Sequence, residues 1–436
     1  MRIAVIGAGY VGLVTGVGLA EHGHRVVCVD VDAARVDVIN AGRAPIFETG
    51  LDDLLAHHIG AGFTATTDLA GAVSGSDVTF ICVGTPARPD GSIDTSFVTA
   101  AAAEVGGALR PGSSVVVKST VVPGTTDGPL TEVLAETSGL RPGQDFGVGA
   151  NPEFLTEGQA VADFLDPDRI VIGGDDLAVA ALREVYAGFA GTPLVQTNAR
   201  TAEMIKYASN AMLATAISFT NELANLGAAL GGVDTTEVMR GVHLSRYLTA
   251  ESPGPAGLAA FFAAGCGYGG SCLPKDVAAL TALGEQAGSP LRVLQAVAAV
   301  NDEQPVRLAD IAERALGGLA GRRVTVLGLA FKPDTDDTRH SPAFPVIRQL
   351  RSRGADVVVH DPVVGAEAVA GIPGVTHVAD LPVAVKGADA VVLVTRWEQY
   401  QRLPEVLSGL GANPLVVDGR RALAPSSVPR YAGIGR

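Results

Sequence analysis

The chain has 436 residues, which is long enough for two or three domains with separate hydrophobic cores. An apolar fraction of 47% together with 54 glycines is typical of a compact α/β protein and excludes an intrinsically disordered or fibrous one. The formal net charge of −14 at pH 7 argues against a nucleic-acid-binding protein, so an anionic ligand must be held by local cations, backbone amides and helix N-termini.

Targeting and metal-binding signals are weak. Residues 1–20 are apolar but lack the charged start and cleavage site of a signal peptide, and no uninterrupted apolar run indicates a membrane span. We therefore expect a soluble cytoplasmic protein. The four cysteines have no paired metal-ligand spacing, which predicts free thiols in a reducing compartment and no metal site; they are Cys28, Cys82, Cys266 and Cys272.

The first thirty residues follow the order strand, glycine turn, helix, strand, acid. A β-branched run from Arg2 to Ile6 enters Gly7-Ala8-Gly9-Tyr10-Val11-Gly12, and a second strand, Arg25 to Val29, ends at Asp30. This order predicts a Rossmann-like domain whose helix N-terminus holds a pyrophosphate. Asp30 can bind the adenosine ribose and repels a 2′-phosphate, which favours NAD, although the nearby Arg35 leaves NADP open. The turn residues of this cofactor site are Gly7, Gly9, Tyr10, Val11 and Gly12.

Three more buried strands are predicted before residue 160, at Asp77 to Val83, Ser114 to Lys118 and Phe146 to Ala150. In a doubly wound sheet the loops after such strands line the cofactor crevice. The loop after the third strand contains Glu153 and Glu157. These carboxylates are candidates for binding sugar hydroxyls or the nicotinamide ribose and for activating water.

From about Asn198 a long helical pattern without proline runs to roughly Leu230. Lys206 and Asn210 are four residues apart and share one face of it. We predict that this helix is the spine between the domains and a dimer interface.

A glycine-rich stretch, Gly265 to Gly270, leads into Ser271-Cys272-Leu273-Pro274-Lys275-Asp276. Pro274 suits the first turn of a helix. Cys272 is then placed where the helix dipole and the Lys275 ammonium stabilise a thiolate, which is the environment of a nucleophilic cysteine. A buried structural cysteine beside a helix start is the alternative.

Residues 322 to 420 repeat the opening pattern. Strands are predicted at Arg323 to Leu327, Val357 to His360 and Asp389 to Val394, but the turn after the first lacks the full glycine fingerprint. We therefore predict a second Rossmann-like domain that binds a nucleotide of another kind. The expected fold is α/β, with two Rossmann-like doubly wound domains, 1–197 and 301–436, joined by a central helical domain, 198–300, with one long helix.

Lysine is scarce, because arginine supplies nearly all the cationic side chains. The five lysines are Lys118, Lys206, Lys275, Lys332 and Lys386. A chain that favours arginine suggests that its remaining lysines are needed as compact, titratable ammonium groups.

Taken together, these motifs resemble the nucleotide-sugar dehydrogenases of the UDP-glucose/GDP-mannose dehydrogenase family, in its bacterial form. They follow the family's order over nearly the whole chain. The matching residues are Gly7 to Gly12, Ser119-Thr120, Asn151 to Leu155, Lys206 with Asn210, Gly269 to Cys272 with Pro274-Lys275-Asp276, Phe331-Lys332-Pro333 with Asp337-Thr338-Arg339, and Asp418-Gly419-Arg420.

The resemblance implies that a primary alcohol on a nucleotide sugar, UDP-glucose in the first place, is oxidised to a carboxylate by two successive hydride transfers to NAD. It implies that the Cys272 thiolate adds to the intermediate aldehyde, and that Lys206, Thr120, Asn210 and Asp276 hold the alcohol and an ordered water. Glu153 or Asp276 would then assist hydrolysis of the resulting thioester. The expected assembly is a homodimer or a higher homo-oligomer, with no nucleic-acid or membrane partner.

The remaining predicted contacts also come from the resemblance. Additional cofactor contacts are Thr85, Pro86, Thr120, Glu157, Lys275 and Arg339. Substrate contacts are Glu153, Phe154, Leu155, Thr156, Glu157, Lys206, Asn210, Arg246, Phe261, Phe262, Gly265, Tyr268, Gly269, Phe331, Lys332 and Arg420. In the family an arginine before the cysteine loop reaches the substrate of the partner subunit. Arg246 is assigned to that role here, with its register open by one residue.

Three alternatives remain open at this point. A GDP-mannose or UDP-N-acetylhexosamine 6-dehydrogenase could use the same cysteine chemistry. A two-electron hydroxyacid dehydrogenase would share the dinucleotide fold and a lysine but has no use for Cys272. A non-catalytic NAD-binding protein would need no thiol, lysine and aspartate grouped together. Measuring NADH production from candidate sugars distinguishes such a protein from the enzymes.

Overall fold

The computed structural model describes residues 1–245 and 257–435. They form two compact units, Met1–Ser209 and Asn210–Arg436, and each unit is described by itself. Within the described ranges no helix combines the length and the hydropathy needed to cross a membrane.

The first unit is built on an eight-stranded sheet with the strand order β3-β2-β1-β4-β5-β6-β7-β8. Neighbouring strands are parallel except β6 and β7, which are antiparallel. The strands are β1 (Arg2–Ile6), β2 (Arg25–Val29), β3 (Phe63–Thr66), β4 (Val78–Ile81), β5 (Ser114–Val117), β6 (Gly147–Ala150), β7 (Ile170–Gly174) and β8 (Leu194–Thr197).

Both faces of this sheet are buried. Successive side chains of a strand point to opposite faces, so Ile3 and Val5 lie in one apolar cluster while Ala4 and Ile6 lie in another. The covering helices are α1 (Tyr10–Glu21), α2 (Ala33–Asn40), α3 (Leu51–His58), α4 (Leu69–Ser74), α5 (Ser96–Ala108), α6 (Thr131–Ser138), α7 (Ala160–Leu165) and α8 (Asp176–Val185), with a π-type segment at Thr126–Leu130 before α6.

The register of the sheet determines where the loops meet. Ile6 at the end of β1 pairs with Val29 of β2 and with Ile81 of β4, and Val117 of β5 pairs with both Ile81 and Ala150. The loops that follow these five strands therefore start at one edge of the sheet. This is the edge at which doubly wound sheets bind their ligands.

The long helix predicted from about Asn198 to Leu230 is α9 (Ala199–Leu230), with 32 residues. It starts in the first unit and continues into the second. At 1.5 Å per residue it is roughly 48 Å long.

The second unit continues with three more helices, α10 (Thr235–His243), α11 (Leu273–Gln286) and α12 (Arg292–Leu316), and a 3₁₀ turn at Gly257–Phe261. A six-stranded parallel sheet follows, in the order β11-β10-β9-β12-β13-β14. Its strands are β9 (Arg323–Leu327), β10 (Asp356–His360), β11 (Val375–His377), β12 (Ala390–Leu393), β13 (Leu415–Asp418) and β14 (Tyr431–Gly433). Its helices are α13 (Ala343–Ser352), α14 (Leu381–Val385) and α15 (Leu403–Gly409), with 3₁₀ turns at Ala366–Val369, Glu398–Arg402 and Pro425–Ser427.

The first six strands of the first sheet and the six strands of the second have the same order, 3-2-1-4-5-6, which is that of the Rossmann fold. The predicted fold class is therefore confirmed. Strand ends differ from the predicted ones by one or two residues, since a hydrophobic run extends past the last residue that pairs. The run predicted from Asp77 to Val83, for example, pairs only from Val78 to Ile81.

Candidate active site

The glycine turn after β1 depends on backbone crowding. Gly7 has φ of +102°, and a Cβ there would lie 2.9 Å from the Cys82 carbonyl oxygen. A Cβ on Gly12 would lie 1.8 Å from the Gly7 carbonyl oxygen, so neither position accepts a side chain. Around Gly9, by contrast, the described residues leave the Cβ position open. Gly9 is the N-cap of α1 and offers no side-chain cap, which leaves the first amides of α1 to an anion.

The acid after β2 organises this turn. Asp30 accepts a hydrogen bond from the Ala8 amide at 2.8 Å through one oxygen and from the Asp32 amide at 3.0 Å through the other. The Arg35 guanidinium lies 3.9 Å from the Asp30 carboxylate and 3.4 Å from the Ala8 carbonyl oxygen. Arg35 is thus directed toward the carboxylate that would bind a ribose.

A buried carboxylate joins the start of α1 to the loop containing Glu157. The Tyr10 hydroxyl donates to Glu48, which also accepts from the Gly158 amide at 2.7 Å and the Ala160 amide at 2.9 Å. The loops after β4 and β5 are also joined, because the Thr85 hydroxyl donates to the Thr120 carbonyl oxygen at 2.9 Å.

Lys206 of α9 forms a buried ion pair with Glu153 of the loop after β6, with 2.8 Å between Nζ and Oε1. The two side chains are only 6% and 7% exposed. Burial alone would raise the pKa of Glu153, but the Lys206 ammonium and the Leu155 amide more than offset it, so that pKa lies below its usual value. Glu153 is therefore ionised at neutral pH. The neighbouring Phe154 ring lies 3.8 Å from the Arg169 guanidinium and 5.6 Å from Lys206 Nζ.

In the second unit, Cys272 is the N-cap residue of α11, with Pro274 in the first turn as predicted. Its thiol is exposed, whereas those of Cys28, Cys82 and Cys266 are buried. The Ser271 hydroxyl lies 3.5 Å from Cys272 Sγ. Burial raises the pKa of the Cys266 thiol, which makes that thiol a poor nucleophile.

One turn into α11, Asp276 is buried and takes two strong hydrogen bonds. Asn210 Nδ2 donates to one oxygen at 2.6 Å, and Lys275 Nζ lies 2.6 Å from the other. Lys275, expected to contact the cofactor and to add charge near Cys272, is thus directed to Asp276.

The loop that leads to Cys272 is held by side chains distant in sequence. Asn301 of α12 accepts from the Tyr268 amide at 2.7 Å and donates to its carbonyl oxygen at 3.2 Å. Asn221 of α9 accepts from the Gly265 amide at 2.7 Å. Arg420 donates to the Gly267 carbonyl oxygen at 2.8 Å, so this predicted substrate contact also supports the cysteine loop.

The turn after β9 reproduces the one after β1. Asp361, the acid after β10, accepts from the Leu329 and Ala330 amides at 2.7 and 3.0 Å, as Asp30 accepts from Ala8. The Phe331 ring packs on Gly270, where a Cβ would lie 2.7 Å from it. Lys332 Nζ is 5.8 Å from the Phe331 ring centroid.

The other predicted substrate and cofactor residues fall as follows. Phe262 packs edge-on against Phe219 of α9, with 6.5 Å between ring centroids, and Phe261 ends the neighbouring 3₁₀ turn. Arg339 pairs with Asp337 at 2.7 Å, and its backbone carbonyl accepts from Gly270 at 3.0 Å. Arg246 lies outside the described residues.

Three consecutive parts of the chain match one family. The NAD binding domain of the UDP-glucose/GDP-mannose dehydrogenase family matches residues 1–190, its central domain residues 200–303 and its UDP binding domain residues 325–425. The chain belongs to the UDP-glucose/GDP-mannose dehydrogenase family. The predictions of the family, of an oxidoreductase and of NAD as its cofactor are confirmed.

Individual relatives cover the whole chain. The UDP-glucose 6-dehydrogenase of Rhizobium meliloti (strain 1021) is 42% identical over 100% of both chains. The solved structure of a UDP-glucose dehydrogenase from Pyrobaculum islandicum is 41% identical, with a TM-score of 0.90 and 99% of this chain and 97% of that chain covered. A UDP-D-ManNAc dehydrogenase from Pyrococcus horikoshii is 30% identical, with a TM-score of 0.87 and coverage of 100% and 99%.

The residues of the first unit fit NAD. The open position at Gly9 and the uncapped N-terminus of α1 suit the pyrophosphate, and Asp30 lies at the end of β2, where a dinucleotide-binding Rossmann fold has its ribose-binding acid. In the second unit the buried Asp361 carboxylate is used by four backbone amides and by the Trp397 indole. The acid of this second turn is therefore occupied by groups of the protein itself.

Several residues of these clusters were not predicted from the sequence. Glu48, Arg169, Asn221 and Asn301 act through partners far away in the chain, and each is an ordinary polar residue in its local context. Lys118 was noted for the scarcity of lysine, but nothing in the sequence indicated its partners.

Proposed function

We propose that this enzyme oxidises UDP-glucose to UDP-glucuronate in two steps and uses two NAD per sugar. The identity of about two-fifths to relatives named as UDP-glucose dehydrogenases, over the full chain, supports the substrate. The exposed thiol of Cys272 at the N-terminus of α11, with Asp276 one turn later, supports a cysteine in the second oxidation.

The turn Gly7 to Gly12 and Asp30 would hold NAD, which would supply the hydride acceptor for both oxidations. In the first, the C6 hydroxyl of glucose loses its proton while the carbon loses the hydride, giving an aldehyde. Lys206, fixed by Glu153, and Thr120 hold the oxygen on which negative charge develops, and the proton leaves through an ordered water. Asn210 and Asp276 form the second hydrogen-bonded pair assigned to that water.

The second oxidation needs a nucleophile, because the aldehyde carbon has no hydride to release until a fourth group is bound to it. The Cys272 thiolate adds to the aldehyde carbon and gives a thiohemiacetal. Loss of the hydride from this carbon and of the hydroxyl proton yields a thioester. The helix N-terminus lowers the cost of forming the thiolate at neutral pH.

Hydrolysis closes the cycle. Water adds to the thioester carbon with its proton taken by Asp276 or Glu153, the C–S bond breaks, and the thiolate of Cys272 is regenerated. In balance, one alcohol, two NAD⁺ and one water give a carboxylate, two NADH and three protons.

The nearest alternative is another nucleotide sugar, a UDP-N-acetylhexosamine or GDP-mannose. The chain is 30% identical to the UDP-D-ManNAc dehydrogenase, against 41% and 42% for the two UDP-glucose enzymes, which favours UDP-glucose. We further infer a homodimer built on α9, and three domains at residues 1–197, 198–300 and 301–436.

The test is a panel of UDP-glucose, UDP-N-acetylglucosamine, UDP-N-acetylmannosamine and GDP-mannose assayed for NADH. We expect the highest kcat/KM with UDP-glucose and two NADH for each sugar nucleotide consumed. A ratio of one with an aldehyde as the final product would contradict the cysteine mechanism. A higher kcat/KM for another sugar would contradict the substrate but leave the mechanism standing.

A further inference from the structure

Lys118 is a buried lysine to which the proposed reaction gives no role. It follows β5 directly and is 3% exposed. Its Nζ donates to Asn151 Oδ1 at 2.9 Å and lies 3.4 Å from the Asn151 carbonyl oxygen and 3.5 Å from the Tyr186 hydroxyl. Within the described part of the chain, no carboxylate lies within ion-pairing distance of this ammonium.

The cluster around Lys118 is otherwise satisfied. The Tyr186 hydroxyl donates to Asn151 Oδ1 at 2.5 Å, and Asn151 Nδ2 donates to the Val171 carbonyl oxygen at 2.8 Å. Asn151 is thus anchored between β5, β7 and α8, two residues before Glu153. A lysine is not needed to keep Asn151 Oδ1 bonded, because the tyrosine already does so.

The titratable groups that face Lys118 differ in charge. Burial raises the pKa of the Cys82 thiol to about 12 and raises the pKa of Tyr186 too, so both are neutral. Glu153 is an anion that pairs with Lys206 at 2.8 Å, and both residues interact electrostatically with Lys118. Burial lowers the pKa of Lys118 itself to about 8, so it is charged below that pH and neutral above it.

We propose that Lys118 is a positioning residue whose charge, held against Asn151 two residues before Glu153, helps to keep Glu153 ionised. A positive charge nearby favours the Glu153 carboxylate over its protonated form, and the proposed reaction uses that carboxylate to fix Lys206 and as a candidate base. The inference rests on the proposed function of that pair. Burying an ammonium without a carboxylate beside it costs free energy, and the proposed role explains why this chain nevertheless has a buried lysine at this position.

The experiment compares Lys118→Met and Lys118→Gln with the native enzyme in the pH dependence of kcat/KM for UDP-glucose. Removing the charge raises the pKa of Glu153, so we expect the acid limb of the profile to move to higher pH by up to about one unit. Because Lys118 is neutral well above its pKa of about 8, the native and variant profiles should converge at alkaline pH.

The matched control is Tyr186→Phe, which removes a hydrogen bond from the same cluster without changing its charge. Its pH profile should follow that of the native enzyme even if its thermal stability falls. The proposal is overturned if both Lys118 variants keep the native acid limb, or if Tyr186→Phe moves it equally. It is also overturned if both Lys118 variants fail to fold by circular dichroism, since Lys118 would then be structural. The NADH stoichiometry of the native enzyme tests the proposed function separately.

Discussion

At the scale of single residues, the two thiols that flank the glycine-rich loop differ in chemistry. Cys272 is exposed at a helix N-terminus, whereas Cys266 is buried and its Sγ lies 3.7 Å from the Val394 carbonyl oxygen. Both are small and both lie in the same loop region. The same substitution at the two positions therefore compares the proposed nucleophile, Cys272, with a cysteine of the core, Cys266.

We expect Cys272→Ser to lower steady-state NADH production by roughly a thousandfold or more, because a serine hydroxyl stays protonated without a strong base. The variant should still bind NAD, since the glycine turn and Asp30 are untouched. Cys266→Ser should keep most activity and lose some stability, since it places a hydroxyl in an apolar core. Normal turnover by Cys272→Ser with an inactive Cys266→Ser would show that the nucleophile is assigned wrongly.

At the scale of elements, the part of α9 that lies in the second unit has an exposed apolar stripe. Met212, Phe219 and Leu226 are seven residues apart and half or nearly half exposed, and Leu230 is 70% exposed. Seven-residue spacing keeps side chains close to one face of a helix. This face is suited to burial against a second copy of the chain.

We predict that the native chain is a dimer and that Met212→Asp with Leu226→Asp makes it a monomer, because two carboxylates on the stripe cannot be desolvated at low cost. Static light scattering at micromolar concentration measures the change. Val383→Asp is the control, since Val383 of α14 is 55% exposed and lies away from the stripe in sequence. A native monomer with full activity would refute the dimer.

At the scale of the whole molecule, two sheets of the same strand order serve different purposes. In each sheet, an aspartate after the second strand accepts a hydrogen bond from a backbone amide in the turn after the first strand. This aspartate is Asp30 in one unit and Asp361 in the other. Among the described residues, Asp30 accepts hydrogen bonds from two backbone amides, whereas Asp361 accepts from four and from the Trp397 indole. One carboxylate has capacity left for a ribose and the other does not.

Asp30→Ala should therefore weaken NAD binding by roughly tenfold or more, measured by fluorescence titration, with a smaller change in thermal stability. Asp361→Asn should instead lower stability and leave NAD binding unchanged. The asparagine side chain has one acceptor oxygen and one NH₂ group, so some of the buried backbone N–H groups lose their acceptor. This loss should lower the free energy of unfolding by about 1–3 kcal/mol, while the Kd for NAD stays that of the native protein. Loss of NAD affinity in Asp361→Asn would show that the second sheet also takes part in cofactor binding.

The sequence alone determined the features that depend on neighbours in the chain. The glycine turn, the start of α11 at Cys272 and the length of α9 each follow from local backbone preferences, so the structure placed them within a residue or two of the predicted positions. The paired Rossmann architecture followed in turn, because repeated strand–helix alternation allows few other topologies.

Only the tertiary structure decided which polar groups meet. Lys118 and Tyr186 are 68 residues apart, and Asn301 reaches the cysteine loop from 33 residues away. Such partners depend on the order and register of the strands and on which helix face packs against them, and neither is encoded in a local pattern. The sequence could thus identify Cys272 and Lys206 as reactive types, while burial and long-range contacts determined the pKa shifts of neighbouring groups such as Glu153 and Lys118.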